Sequence, residues 1–236
     1  MKTKILFIVT VVFLAGCAAA PSNVQKINTL QSVGADPRIV LMPPDVRYYL
    51  MTAGGVAEPH DEWTTAAQTN FAAATEKYAD SIGADLRIIN EDNLSQDEIR
   101  YETLHSAVGS SLLTHYYGGM KLPSKGENFD WSLGPGVASI GQQHEADYAL
   151  FVFYRDYQAS GGRVAFAILA AAAGVGVPMG GEMGFASLVD LKTGDIVWFN
   201  RVIAGSGELR DPDGAHKTVA SLFAGLPTSQ GSGSIE

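Results

Sequence analysis

Cys17 is the only cysteine in the 236-residue sequence. The chain therefore cannot form an internal disulfide, so its fold has to rest on apolar packing and hydrogen bonding. Apolar residues make up 46% of the sequence, which is enough for a sizeable core in a chain of this length. A single cysteine is either a reactive thiol or one already committed to other chemistry, and its sequence neighbours indicate which.

The segment before Cys17 has the pattern of a secretion signal. Lys2 and Lys4 precede an apolar run over residues 5–16. This run is shorter than the roughly 20 apolar residues that a membrane-spanning helix needs, and it matches the apolar core of a signal peptide. We therefore predict that residues 1–16 are a signal peptide.

The end of this run, Leu14-Ala15-Gly16-Cys17, resembles the lipobox of bacterial lipoproteins. The resemblance implies a diacylglycerol thioether on Cys17, cleavage before it and acylation, for example with palmitate, of the new amino terminus. It also implies an outer-membrane anchor facing the periplasm, because aspartate does not follow the cysteine. The alternative is an ordinary signal peptide with a chance cysteine.

Charge and composition limit the kinds of partner that we expect. Without residues 1–16 the chain would have 220 residues, of which 14 are basic and 25 acidic, for a formal charge of −11. The basic residues are not clustered, so we do not expect nucleic acid as a partner. For the same reason we do not expect attraction to an anionic membrane surface by charge.

Proline, glycine and polar residues predict the boundaries of the domain. Residues 17–37 lack periodicity, and we interpret them as the lipidated amino terminus with a flexible tether. Residues 38–227 are predicted to form a single periplasmic domain. Residues 228–236 are rich in glycine and serine, and we predict a disordered tail.

Periodicity in the first half predicts two helices and two short strands. Apolar residues at steps of three and four indicate a helix over 62–82, with Asp61 as its cap. Ser95 and Glu98 have the spacing of a capping box for the second helix. Buried strands are expected over 38–42 and 86–89. The apolar face of the second helix is predicted to consist of Tyr101, Leu104, Val108, Leu112 and Tyr116.

The residue pattern in the second half of the sequence predicts three strands and a closing helix. The strands are expected over 147–157, 183–191 and 196–203, and Gly194 supplies a positive φ in the turn between the last two. The helix is predicted to begin at Asp211-Pro212. We expect Trp198 and Phe223 to be core residues. The buried stripe of this helix is predicted to consist of Ala215, Val219, Leu222, Phe223 and Leu226.

Residues 121–141 are predicted to be irregular, because they are interrupted by glycine and proline. A loop of this length inside a domain is often functional. The alternative is a surface connection that holds Phe129 and Trp131 against the core.

Residues 145–151, 186–198 and the closing helix resemble, in this order, periplasmic lipoproteins with the fold of the TolB amino-terminal domain, such as the curli-secretion lipoprotein CsgG. The early strand over 39–44 resembles the first strand of that group. The resemblance implies an α/β (mixed α+β) fold, in which a mixed sheet of about five to six strands is flanked by helices. It implies no enzymatic activity.

Residues 164–181 contain no charge, and this length reaches that of a candidate membrane span. Glycine and proline crowd the second half of the segment and argue against one continuous helix. We predict a buried core strand over 164–172, followed by a glycine-rich turn. Two alternatives stay open, namely a membrane-inserted or oligomer-packing segment and a membrane-spanning helix.

No motif for catalysis, a cofactor or a metal stands out in the sequence. The five histidines lack the spacing of a zinc helix, and no nucleophile elbow or phosphate-binding loop is present. Asp156 and Glu182 could face each other across two strands. Residues 211–214 fit a helix start better than a calcium loop. We therefore predict no catalytic residue, no cofactor and no metal, and we assign a site only at Cys17.

These observations leave three hypotheses for function. The first is a non-enzymatic, lipid-anchored interaction or assembly module, with an envelope protein or a second copy of itself as partner. The second is a subunit of a CsgG-like oligomeric secretion channel. The third is an enzyme that acts on an envelope polymer, with its site in residues 121–141.

Overall fold

The described part of the molecule is built around a mixed β-sheet of eight strands with helices on both faces. The computed structural model describes residues 23–26, 30, 37–82, 86–126, 128–203, 207–228 and 231–232. The sheet strands are β1 (Asn23–Gln25), β2 (Ile39–Leu41), β3 (Asp45–Met51), β4 (Ala57–Pro59), β5 (Leu86–Ile88), β6 (Tyr148–Ala159), β7 (Gly180–Asp190) and β8 (Ile196–Ile203). The helices are α1 (Asp61–Ile82), α2 (Gln96–Leu112), α3 (Ala138–His144), α4 (Gly161–Ala172) and α5 (Pro212–Leu222). The predicted fold class is confirmed, with eight sheet strands where about five to six were expected.

The 12-residue strand β6 organises the sheet. Its first half pairs in parallel with β2 and its second half in parallel with β3. Pro43 and Pro44 separate β2 from β3, because proline cannot donate a hydrogen bond to a strand ladder. On its other edge β6 pairs with β7, and the sheet continues to β8 and β1 with every neighbour antiparallel.

Each face of the sheet carries its own apolar core. Under α1 and α5 lie Trp198 and Phe223, both fully buried, which confirms the prediction that they are core residues. The opposite core, under α2 and α3, includes Trp131, with the half-buried Phe129 packed against it. Residues 121–141 therefore do hold these two side chains against the core. They are not irregular throughout, because α3 begins at Ala138.

Several predicted caps and turns are present. The Ser95–Glu98 capping box is formed, and the Asp211 side chain accepts a hydrogen bond from the Gly214 N–H at 2.8 Å. Gly194 has a φ of 82°, and a Cβ there would lie 2.1 Å from the carbonyl oxygen of Gly134, so glycine is required on both counts. Asp61 is not the cap of α1, because the helix begins at this residue.

Two segments predicted to be unstructured contain ordered residues. In the expected tether, β1 pairs with β8, and Leu30 is only 6% exposed because it joins the core under α1 and α5. In the expected disordered tail, β9 (Pro227–Thr228) pairs with β10 (Gly231–Ser232). Backbone pairing and apolar burial hold these residues, and the division of the chain into tether, domain and tail stays a prediction.

The predicted face of α2 is wrong in part. Leu104 is 39% exposed, whereas Glu98, His105 and Gly109 are buried together with Leu112. A Cβ on Gly109 would lie 2.0 Å from the Phe185 ring, so this glycine lets the helix approach the sheet closely. His105 and Glu98 are buried because they have hydrogen-bonding partners in Ser187 and His144. The buried face of α2 therefore differs from the face that hydrophobicity predicts.

Residues 161–172 form helix α4, not the predicted core strand. Ser160 caps the helix by accepting a hydrogen bond from the Arg163 N–H at 3.1 Å, and five of the twelve residues are alanine, the best helix former. A strand here would also lack a partner, since both edges of β7 are already paired. No helix in the described part of the chain has the length and apolarity to cross a membrane.

Candidate interaction surface

One end of the sheet, where β6 ends and β7 begins, is covered by α4, residues 173–179 that follow it, the β3–β4 turn and the last residue of β8. We call this the apolar end. It carries eight of the eleven exposed large apolar side chains in the described part of the chain. These eight are Val56, Val164, Phe166, Ile168, Leu169, Val175, Met179 and Ile203. Because soluble domains rarely cluster such side chains, the apolar end is the candidate interaction surface.

Helix α4 is apolar on all sides and contacts the domain mainly through its first turn. Ile168 is 66% exposed and Leu169 is 71% exposed. Arg163 is the one buried residue of the helix. A helix that is apolar all round normally lies in a protein core or in lipid, whereas most of α4 is exposed at the surface of its own domain.

Arg163 fastens α4 to the domain while removing its charge from the surface. Its side chain is turned inward and is 7% exposed. Nε donates a hydrogen bond to the carbonyl oxygen of Pro178 at 3.0 Å, and Nη1 donates to that of Ala53 at 3.3 Å. Since residues 164–181 carry no charge, the exposed part of this segment is purely apolar. The nearest exposed acidic residue in sequence to the β3–β4 turn is Glu58, on β4.

A cluster of carboxylates lies beneath the apolar end. Asp156 and Glu182 occupy paired positions on β6 and β7, the arrangement that the sequence left open. The two side chains are held by different donors. Gln158 Nε2 donates to Asp156 Oδ1 at 2.8 Å, and the Tyr154 hydroxyl donates to Glu182 Oε2 at 2.6 Å.

Glu208 completes this cluster from the segment before α5. It accepts a hydrogen bond from the Tyr48 hydroxyl at 2.9 Å and another from Arg210 Nη2 at 2.6 Å. The Arg210 guanidinium also lies over the Trp63 ring, 4.4 Å from its centroid. The cluster therefore joins β3, α1 and the segment before α5 through charge-assisted contacts.

The carboxylates of the cluster differ in their affinity for a proton. Burial raises the pKa of Asp156 to about 6, and the charges of Glu208 and Glu182 act in the same direction. The hydrogen bonds from Arg210 lower the pKa of Glu208 to about 2. Asp156 is only 3% exposed, so it can hold a proton inside the fold but has no open access to a substrate.

His105 and His144 have structural surroundings. His105 is fully within the core, where its Nε2 lies 2.8 Å from Ser187 Oγ and its ring stacks on Phe151. Burial lowers the pKa of His105 to about 3, so the ring is neutral. His144 pairs through Nε2 with the buried Glu98. Within the described ranges, no group of three or more histidine, cysteine or acidic side chains is placed to hold a metal ion.

A groove of about 530 Å³ lies at the break between β2 and β3. Its charged side chains neutralise one another, since Asp45 accepts hydrogen bonds from Arg155 Nη2 at 2.6 Å and from Arg47 Nε at 3.1 Å. Burial would raise the pKa of Asp45, but these arginines outweigh it and hold the pKa below its ordinary value. Glu102, Thr103 and Ser106 of α2 also line the groove.

The site assigned from the sequence, Cys17, lies outside the described residues, as do Leu14, Ala15 and Gly16 of the lipobox-like segment. Sequence reasoning missed α4 as a helix. The signal that would have found it is Ser160, three residues before Arg163 and ahead of an alanine-rich run, which is the pattern of a capped helix start.

Comparison with known proteins gave structural likenesses only. No protein-family profile matches the chain, and no curated protein matches it in sequence. It is similar to the PelC dodecamer from Paraburkholderia phytofirmans, with 11% identity and a TM-score of 0.35 over 86% of this chain and 96% of that chain. It is also similar to the LpoB C-terminal domain from Salmonella enterica, with 10% identity and a TM-score of 0.27 over 72% and 83%. It is similar as well to lipoprotein GNA1162 from Neisseria meningitidis, with 11% identity and a TM-score of 0.29 over 71% of this chain and 80% of that chain. These similarities are too low to carry a conclusion about function.

Proposed function

We propose that the protein is a lipid-anchored module of the bacterial envelope, held at the outer membrane by Cys17 and facing the periplasm. It acts by contact with another envelope component and not by catalysis. The observation that carries this proposal is the apolar end, because an exposed and uncharged surface of this kind is typical of an interaction site. The signal-like residues 1–16 and the lipobox-like residues before Cys17 support the anchor.

The titratable groups support a role without catalysis. Asp156, a carboxylate whose pKa is raised by burial to about 6, is buried and already accepts a hydrogen bond from Gln158. Glu208 is engaged by Tyr48 and Arg210. A general acid or base has to reach its substrate, and these groups instead connect elements of the fold.

Metabolic labelling with a fatty-acid analogue tests the anchor. We expect the wild-type protein to be labelled and recovered with the outer membrane. We expect Cys17→Ser to accumulate as an unlabelled precursor or to be mislocalised, because the serine hydroxyl cannot replace the thiol as acceptor of the diacylglycerol. Equal labelling of both proteins would refute the assignment of Cys17.

Crosslinking in intact cells, followed by mild detergent extraction, tests the contact. We expect the wild-type protein to be captured with an envelope protein or a second copy, and Ile168→Ser with Leu169→Ser to reduce that capture. Ile99→Ser with Leu104→Ser, on α2, removes two apolar side chains elsewhere and is the matched control. Absence of any crosslinked product would contradict contact with an envelope protein or a second copy.

The second candidate function is a subunit of a CsgG-like oligomeric channel. It is favoured by the all-round exposure of α4, which would suit packing between subunits. Light scattering on the detergent-solubilised lipoprotein separates the two, because a channel subunit has to give the mass of a ring. A monomeric mass would reject the channel and leave the module.

A further inference from the structure

We propose that the apolar end rests in the boundary between headgroups and acyl chains of the same membrane that holds the lipid on Cys17. Helix α4 would then be a second, non-covalent attachment that fixes which way the domain faces. This inference rests on the proposed function, because it takes the anchor at Cys17 as given, and it names lipid as the component that covers α4.

The chemistry of the surface fits lipid. α4 exposes large apolar side chains on all sides, and its one charged residue, Arg163, is turned into the domain. With 12 residues, the helix is about 18 Å long, too short to cross the hydrocarbon layer of about 30 Å. Because it is too short to span the membrane, such a helix can enter the lipid only from one surface.

The first residue of β1 lies on the side of β1 that faces the apolar end. β8 runs from Ile196, opposite Val189, to Ile203, opposite Met183, and thus towards the apolar end. β1 is antiparallel to β8 and therefore runs away from that end. The chain that precedes β1, which leads back to Cys17, consequently enters the sheet from the side of the apolar end.

The length of this chain is sufficient for Cys17 to reach the apolar end. Asn23 is level with Asn200 of β8 and thereby with Ala186 of β7. From Ala186 to the start of β7 at Gly180 is six residues, or about 20 Å along a strand. Cys17 is also six residues before Asn23, and an extended chain of that length spans about 20 Å. A lipid on Cys17 and the side chains of α4 can thus enter one membrane surface together.

Charge supports lipid over an electrostatic partner. Without residues 1–16 the chain carries a formal charge of −11, and residues 164–181 carry none. Binding through α4 should therefore depend on apolar burial and be insensitive to salt, unlike the binding of basic segments to anionic lipid.

The decisive experiment places a fluorescent probe on α4 in the lipidated, processed protein in phosphatidylcholine vesicles. Cys17 is the only cysteine and its sulfur is in the thioether, so Leu169→Cys adds a single reactive thiol for a nitrobenzoxadiazole label. Lys192→Cys, in the β7–β8 turn at the opposite end of the sheet, is the matched control.

We expect the probe at position 169 to be quenched by lipids that carry a spin label on the acyl chain and to be protected from iodide in the water. The probe at position 192 should show the reverse. Equal quenching of both probes by iodide would overturn the proposal. Protection of position 169 from both quenchers would also overturn it, because a protein surface would then cover α4.

Failure of the anchor is distinguished by a second arm. Mass measurement of the protein shows whether Cys17 carries lipid. A Cys17 without lipid would contradict the anchor in the proposed function, but it would not contradict lipid binding by α4. The Cys17→Ser chain, expressed without residues 1–16, then tests α4 by flotation with phosphatidylcholine vesicles. We expect salt-independent binding that Phe166→Ser with Ile168→Ser weakens about tenfold or more. Ile99→Ser with Leu104→Ser should leave binding unchanged. No flotation of the Cys17→Ser chain, or equal loss in both pairs, would contradict a lipid-binding role of α4.

Discussion

Helices α4 and α5 are similar in length, with 12 and 11 residues, and both begin with a side-chain cap, but they relate to the domain in opposite ways. α5 buries a stripe against the sheet that includes Ala215, Val219 and Leu222. α4 buries only Arg163 and exposes its apolar side chains. One helix is therefore fixed by apolar packing and the other by hydrogen bonds at its first turn.

This comparison shows that the distribution of apolar residues matters more than their number. α5 alternates apolar and polar residues with the helical period, so one side can enter a core while the other faces water. α4 has no polar side, and docking it on the domain would still leave apolar surface in water. An amphipathic helix thus completes its own domain, whereas a uniformly apolar one at the surface leaves apolar side chains exposed.

The largest expected difference between the helices comes from Phe223→Ala and Phe166→Ala. The Phe223 ring is fully buried and lies edge-on to the ring of Tyr78, whereas Phe166 is 49% exposed. We expect Phe223→Ala to lower the free energy of unfolding by about 3–5 kcal/mol. Phe166→Ala should change it by no more than about 0.5 kcal/mol. Denaturant titration measures both, and equal losses would mean that α4 is packed into the domain.

The carboxylate cluster beneath α4 gives the next largest effect. Because the pKa of Asp156 is raised to about 6 from an ordinary value of 3.8, the folded state holds a proton that the unfolded state releases. The contribution of protonated Asp156 to the free energy of unfolding is therefore present at low pH, and it is lost as pH rises from about 4 through about 6. Asp156→Asn should abolish that loss, about 2–3 kcal/mol, and be the more stable protein at neutral pH.

Denaturant titrations at several pH values measure this effect. Asp213→Asn, in the first turn of α5, removes an exposed carboxylate and serves as the control. An unchanged pH profile in Asp156→Asn would show that Asp156 is ionised in the folded protein.

Arg163→Ala tests whether hydrogen bonds hold α4. The change leaves the carbonyl oxygens of Ala53 and Pro178 without this donor, so we expect the free energy of local opening of α4 to fall by about 1–2 kcal/mol. Hydrogen exchange should show faster exchange in α4 and unchanged exchange in α5. Arg163→Lys keeps the charge but loses the planar fork, so it should be intermediate. Unchanged exchange in α4 would mean that other contacts fix the helix.

The helix caps give the smallest effect and the sharpest contrast. Asp211→Ala removes the side chain that accepts from the Gly214 N–H, and Ser160→Ala removes the one that accepts from the Arg163 N–H. Each loss weakens its helix by about 1 kcal/mol. We expect the global unfolding midpoint to fall only for Asp211→Ala, while Ser160→Ala speeds exchange in α4 alone. A shift of the global midpoint in both would show that the two helices belong to one cooperative unit.

Local chemistry made parts of this fold predictable. The predictions of the capping box at Ser95 and of the positive φ at Gly194 are confirmed, because each feature depends on only a few neighbouring residues. The burial of Trp198 and Phe223 followed from their places in strongly patterned elements. Leu104 was placed wrongly because the buried partners of His105, such as Ser187, lie far away in the chain.

The sequence by itself determined that the fold has no disulfide, that strands and helices form a mixed sheet structure, and that residues 164–181 carry no charge. Only the tertiary structure decided that this uncharged segment begins as an exposed helix, because both edges of β7 are occupied and no strand position is left for it. It also brought Asp156, Glu182 and Glu208 together beneath that helix. Pairing between strands depends on partners that are distant in the chain, whereas a cap, a turn or a charge-free run is local.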